Sequence, residues 1–395
     1  MSGGNPGKTQ RVVAYTATED SREAGLSLGD QINTRLEGSP PDAVILFVSP
    51  KYDAAALVAS VVERCNAKVI VGCSSAGEFT SETHGDGKAC AVAIRSPSLQ
   101  FAVGIGRGIS EDRRKAAADM VRNFRCGQEG SNEYCSALIL TDALAGHADE
   151  LIEELTLKTG GSHQFFGGGA GDDANFRRTQ VFVGNELASD AAVALEIVSE
   201  KPIGIGVRHG WRPATAPMRV TESRGAFLVS LNASPILDVF REHAATTNQK
   251  FDEKDPMPFF LHNILGIETG GAYKLRVPLA VNPDGSVLCA AEIPQGAAVC
   301  LMSTDSASAK EAAANATRAA VDQLNGHEPG VALFFDCVAT RLRMGREFGN
   351  ELDALKEVLG ETPFAGCNTY GQVARTTGQF NGFHNCTAVV CVLPA

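Results

Sequence analysis

A helix-then-strand pattern returns three times along this chain of 395 residues, and any fold has to accommodate that repetition. The first copy runs from Thr16-Ala17-Thr18-Glu19-Asp20 through Leu28, Ile32 and Leu36 to an apolar strand over 43–48. The second runs from Ile109-Ser110-Glu111-Asp112 through Ala117, Met120, Val121 and Phe124 to 137–140. The third runs from Ser303-Thr304-Asp305 through Ala309, Ala312, Ala313, Ala316, Ala320 and Leu324 to 331–335. Spacings of three and four put the apolar residues on one helix face, and the Ser, Thr and Asp clusters supply N-caps. A second helix follows each strand, over 54–65, 148–157 and 351–359. Then comes a buried strand ending in a glycine turn: Gly72-Cys73-Ser74-Ser75-Ala76-Gly77-Glu78-Phe79, Gly167-Gly168-Gly169-Ala170-Gly171-Asp172-Asp173, and Gly366-Cys367-Asn368-Thr369-Tyr370-Gly371-Gln372-Val373. Strand pairs follow the turns, 89–94 with 101–106 and 191–198 with 202–207, and 387–393 is the last strand.

This order predicts an α/β chain of internally repeated strand-helix-strand units, forming mixed sheets with helices packed on them. The stretch 214–282 fits no copy; it holds a helix over 235–245 and ends in the hairpin turn Asn282-Pro283-Asp284-Gly285. The length exceeds what one hydrophobic core normally supports. Two domains are therefore expected, 11–224 and 225–395, with a boundary near Arg224 after a disordered tail over 1–10.

A net charge of −11 argues against a general nucleic-acid partner, because phosphate contacts need a basic surface. No stretch approaches the ~20 apolar residues of a membrane span, and Met1 to Gln10 has no apolar signal segment. Eleven cysteines are present without a Cys-x-x-Cys pair, and Cys90, Cys289, Cys300 and Cys391 sit in apolar runs where a thiol behaves as a small hydrophobe. The expectation is a cytoplasmic protein with reduced thiols.

These elements, in this order, resemble the FIST N and FIST C domains of bacterial signal-transduction proteins. The FIST N resemblance rests on Phe47-Val48-Ser49-Pro50, on Val71 to Glu78 and on Gly167 to Asp173. The FIST C resemblance rests on Tyr273 to Val281, Ile293-Pro294-Gln295-Gly296, Cys337-Val338-Ala339-Thr340-Arg341, the Gly366 to Gln372 turn and Phe383-His384-Asn385-Cys386-Thr387. The family's turn more often ends in Gly-Glu at the C-terminal position, so Gln372 departs from it and removes a carboxylate. The resemblance implies a small-ligand input module that passes its signal to kinases or cyclic-dinucleotide enzymes. A subset of stand-alone family members looks like haem proteins that sense nitric oxide and regulate a histidine kinase. Because FIST-like sequence accounts for nearly the whole chain, the partner histidine kinase or cyclic-di-GMP enzyme is expected in trans.

The turns lie at C-terminal ends of buried strands, where open α/β sheets place ligands, and glycines let backbone N–H groups approach one. The expected ligand-binding residues are Gly72, Cys73, Ser74, Gly77, Glu78, Gly168, Gly169, Asp172, Arg341, Gly366, Cys367, Tyr370 and Gly371. Haem would need an axial histidine and an apolar pocket. His243, on the helix Leu237 to Ala245 with its apolar face, is the candidate; His262 and His384 are alternatives, while His84, His147, His163 and His327 read as exposed loop residues. Without haem, the ligand would be an amino acid or similar small polar molecule. An enzyme is not expected. The catalytic alternative rests on Cys73 or Cys367 as nucleophile, with no base nearby in sequence.

Overall fold

The computed structural model describes residues 9–126, 133–376 and 379–395; most of the expected N-terminal tail lies outside them, and Gln10 already begins a strand. The three copies are present as three α/β units with the same sheet order. In the first, Gln10–Thr16, Ala89–Arg95, Ala43–Val48 and Val69–Ser74 lie side by side. In the second the order is Leu99–Arg107, Ala191–Ser199, Tyr134–Thr141, Gln164–Gly169; in the third it is Gly204–Arg208, Ala388–Pro394, Pro329–Cys337, Phe364–Thr369. The last two strands of each unit run parallel, and the others antiparallel.

Each sheet is completed by a hairpin from another unit. Glu78–Thr80 of the first unit pairs with Phe364–Thr369 of the third, Val181–Val183 of the second pairs with Val69–Ser74 of the first, and Gln372–Thr376 of the third pairs with Gln164–Gly169 of the second. The donation is cyclic, so the three units close on one another. Their inner faces form a common core that includes Phe47, Phe166 and Phe335, with Phe47 edge-on to Phe335 at 5.6 Å between ring centroids. The outer faces are each covered by helices in a separate apolar cluster.

The expected helix starts are capped as the sequence suggests: Asp20, Asp53, Asp112 and Asp305 each accept from a backbone N–H in the first turn. The segment that fits no copy is an insertion in the third unit, between Gly204–Arg208 and the helix Ser306–Asp322. With flanking strands that extend beyond the expected 214–282, at Arg212–Pro213, Val287–Cys289 and Ala298–Ser303, it forms a nine-stranded sheet with its own core around Phe240, Phe259 and Phe260. The boundary expected near Arg224 falls within it, at the hairpin between Met218–Arg224 and Phe227–Leu231.

Candidate functional site

The glycine turns of all three units meet. Ala76 N–H donates to Asn368 O and Asn368 N–H to Gly77 O, Gly171 N–H to Ser74 O, Gly169 N–H to Gly371 O and Tyr370 N–H to Gly169 O, all between 2.8 and 3.0 Å. Several of the glycines serve this packing rather than a ligand. A Cβ on Gly72 would lie 2.0 Å from Leu46 O and 2.4 Å from the Phe182 ring; on Gly366 it would lie 1.8 Å from Phe334 O and 2.6 Å from the Phe79 ring. Each glycine thus makes room for the neighbouring strand and for an aromatic ring on the donated hairpin. Gly168, Gly169 and Gly371 face the turns of the second and third units in the same way.

Beside the meeting point lies a cleft of about 390 Å³, lined by Glu78, Phe79, His84, Asp86, Arg341, Leu342, Phe348 and Asn368 among others. It sits where the first unit's donated hairpin meets the third unit's helix Val338–Met344. Gly77 has φ +128°, and a Cβ there would fall 2.4 Å from Arg341 Nη1 and 2.8 Å from Asn368 Oδ1. Its missing side chain therefore lets those two groups stand over the turn. Asn368 is 1% exposed, and neither its Oδ1 nor its Nδ2 has a hydrogen-bond partner. An unpaired buried amide costs roughly 1–3 kcal/mol per group, which a ligand in the cleft would recover.

Glu78 is 1% exposed; Ser75 Oγ donates to its Oε1, and Lys88 N–H donates to its Oε2 at 3.0 Å. Burial pushes its pKa up to about 8, against the opposing effect of those bonds. Its carboxyl is consequently protonated at neutral pH, with a hydrogen to donate. Arg341 forms an ion pair with Asp86, whose side chain is 58% exposed. Such a pair contributes at most about 1 kcal/mol, so an anionic ligand group can replace Asp86 cheaply.

The other expected residues fall elsewhere. Cys73 and Cys367 are fully buried in the common core, and burial pushes the Cys367 thiol well up. Ser74 Oγ accepts from Gln180 N–H at 3.0 Å. Asp172 organises the loop after the second turn, accepting from the N–H groups of Phe176, Arg177 and Arg178 and from the Tyr370 hydroxyl. Tyr370 stacks on Phe176 at 4.4 Å between ring centroids. The most acidified thiol is Cys337, brought down to about 6 chiefly by a hydrogen bond with Cys386. It borders an apolar pocket of about 80 Å³, room for little more than a few waters at ~30 Å³ each.

The three histidines expected as haem ligands lie away from the polar cleft. His243 is buried against Phe259 in the core of the insertion, with Nε2 3.0 Å from Asn263 Oδ1. His262 is exposed, and His384 is a buried residue of the hairpin strand Gln379–His384 whose protonation is pushed down to about 3 by burial. None of the three lines a described cleft. Two expectations need correction. His163 is 2% exposed rather than in an open loop, because the fully buried Glu196 holds its Nε2 at 2.9 Å. Cys126 and Cys135, expected to be reduced, are joined in a disulfide.

The three units form an α/β body with a polar cleft beside the point where their turns converge. The chain belongs to the FIST family: residues 42–234 match the FIST N domain and residues 237–375 the FIST C domain. FIST domains are small-ligand-sensing modules of signal transduction, and this is the class the match supports. The chain is 22% identical to the uncharacterised protein Rv0628c of Mycobacterium tuberculosis, covering 95% of this chain and 97% of that one. It is also 22% identical to the uncharacterised protein Mb0898c of Mycobacterium bovis, covering 95% and 96%. A cyanuric acid hydrolase structure from A. caulinodans aligns over 98% of this chain and 99% of its own, at 10% identity and a TM-score of 0.30, too low to carry weight for fold or function. Among the described residues no helix is long and apolar enough to cross a membrane.

Asn368 and Asp86 are the site residues that sequence reading left out. Asn368 lay inside the quoted third turn, in the register position of Ser74, and only its carboxamide set it apart.

Proposed function

We propose that this protein is a sensor whose ligand is a small polar molecule carrying a carboxylate, amino-acid-like in size and chemistry, taken up in the cleft between Glu78, Arg341 and Asn368. The observation that carries the reading is Asn368, a buried carboxamide with both hydrogen-bonding atoms unused, facing a cleft that also holds a guanidinium. The ligand carboxylate would take Arg341 from Asp86, its polar groups would pair with Asn368, and the Glu78 proton would be donated to a ligand acceptor. Phe79, Leu342 and Phe348 offer an apolar wall for a side chain.

Release of Asp86 supplies an output. Asp86 follows the tip strand His84–Gly85 of the donated hairpin, so ligand binding frees that surface segment to change its population of states. A partner in trans, a histidine kinase or cyclic-di-GMP enzyme, would read that surface. The test is a thermal-shift and calorimetry screen of amino acids and small carboxylates against the protein, Asn368→Ala and Arg341→Ala. A ligand at a hundred times its Kd should stabilise the protein by about 2.7 kcal/mol, and both variants should lose the response. Saturable binding that survives both substitutions would move the site elsewhere. An absorption spectrum after incubation with haem, with and without nitric oxide, tests the haem-sensor alternative in the same preparation.

A further inference from the structure

At the opposite end of the second unit's sheet from the glycine turn, a different set of groups meets. Cys135 and His163 immediately precede the paired stretch of the two parallel strands, in which Ser136 faces Gln164 and Thr141 faces Gly169. Cys126 Sγ, Cys135 Sγ and a ring nitrogen of His163 lie within 4.8 Å of one another. A tetrahedral ion with bonds of about 2.0–2.3 Å needs its ligand atoms roughly 3.3–3.8 Å apart, so small side-chain adjustments reach that geometry.

The sister units act as an internal control. The strand registers equate Cys135 and His163 with Asp42 and Lys68 of the first unit, and with Gly330 and Thr362 of the third. Asp42 and Lys68 form a surface ion pair at 2.7 Å. The same registers equate Glu196 with Ala93 and Val392. All three positions are fully buried, and only the second unit places a carboxylate there. Glu196 accepts from Arg125 N–H at 2.7 Å and Cys126 N–H at 3.0 Å, and contacts His163 Nε2 at 2.9 Å. It therefore positions two of the three groups at once, as a carboxylate behind a metal-bound histidine does.

The remaining ring nitrogen is available. Ser162 Oγ lies 2.9 Å from His163 Nδ1 but has one proton, and it donates that proton to Thr159 O at 2.7 Å. With Nε2–H directed at Glu196, the Nδ1 lone pair then lacks a donor.

We infer that the reduced Cys126 and Cys135 thiols and His163 Nδ1 bind a zinc ion, with Glu196 orienting the imidazole and the Cys126 backbone. The disulfide is the metal-free, oxidised form of the same site. Two equivalents of a thiol reductant convert it to two thiols and one external disulfide; zinc then replaces the two thiol protons, which leave to solvent. The fourth coordination position faces the cleft of about 460 Å³ that Cys135, Ser162 and His163 line, and takes water. The ion fastens the end of the second unit remote from the ligand cleft.

The experiment uses full-length protein, reduced with a phosphine, freed of metal and titrated with zinc against a chromogenic chelator. One zinc per chain is expected. Cys135→Ser and His163→Gln should each weaken zinc at least 100-fold, and Glu196→Gln 10–100-fold. Cobalt should give a thiolate charge-transfer band that is absent from Cys126→Ser/Cys135→Ser. That double variant keeps His163 and Glu196 in place, so it remains informative should His163→Gln fail to fold. Zinc uptake by the reduced protein no greater than that of the double variant overturns the inference, as does a Cys126–Cys135 bond that persists under thiol reductant.

Discussion

Glu78 and Gln372 occupy the same position in the first and third units, and they do the same structural work with different chemistry. Glu78 accepts from Ser75 Oγ, three residues back, and from the N–H of Lys88, the residue before the strand Ala89–Arg95. Gln372 donates to Thr369 Oγ1, also three residues back, and accepts from the N–H of Thr387, the residue before Ala388–Pro394. In the second unit the corresponding N–H, that of Asp190, is taken by Asp142 instead, and Asp173 turns to Ser49. The polar residue after the turn is first a brace between turn and final strand. A neutral amide suffices for it. The buried acid at Glu78 adds a proton, and it adds it in the one position that also borders the polar cleft.

The largest consequence concerns pH. The folded-state pKa of Glu78 is raised to about 8 from the ordinary carboxyl value of 4.5, so its stabilising effect is complete below about pH 4.5 and is lost progressively up to about pH 8. Glu78→Gln should remove that slope, worth up to roughly 5 kcal/mol, and become the more stable form above pH 8. Melting curves from pH 5 to 9 check this; identical slopes for the two proteins would break the reading of Glu78 as a neutral acid. Gln372→Leu should cost about 1–3 kcal/mol at all these pH values, because the buried Thr387 N–H loses its acceptor. Urea unfolding at pH 6 and 8 should give the same loss at both. The smallest effect is expected of Asp86→Ala: a stability change within about 1 kcal/mol, with tighter binding of any anionic ligand that Arg341 holds. Weaker binding in this variant would mean that Asp86 contacts the ligand rather than competing with it.

The repetition was legible because each helix keeps its own three- and four-residue apolar spacing and its own capping aspartate, all local features. The exchange of hairpins was not, since Glu78–Thr80 finds its partner at Phe364–Thr369, and nothing in either segment encodes the other beyond a glycine and a phenylalanine. The site was half legible for the same reason. Glu78 and Arg341 were named from their motifs, whereas the significance of Asn368 depends on a bond it does not make. The glycines were read as openings for a ligand, but a Cβ at Gly72 or Gly366 would collide with protein. His163 sits in the polar run Gly160-Gly161-Ser162-His163-Gln164 and was expected to be exposed; the residue that buries it, Glu196, lies on a strand that follows an entire turn and hairpin. Polar neighbours in sequence say little when the partner is distant.

The cyclic donation of hairpins has a consequence for biosynthesis. The first unit's hairpin emerges from the ribosome long before the strand Phe364–Thr369 that receives it, and the first unit's sheet stays incomplete until Val181–Val183 has been made. Until then both present unpaired strand edges, the feature most open to mispairing with other chains. The third sheet also needs the C-terminal strand Ala388–Pro394 between two of its members. The ring therefore cannot close until Ala388–Pro394 has left the ribosome, and a ribosome stalled before that strand should leave a polypeptide that depends on chaperones.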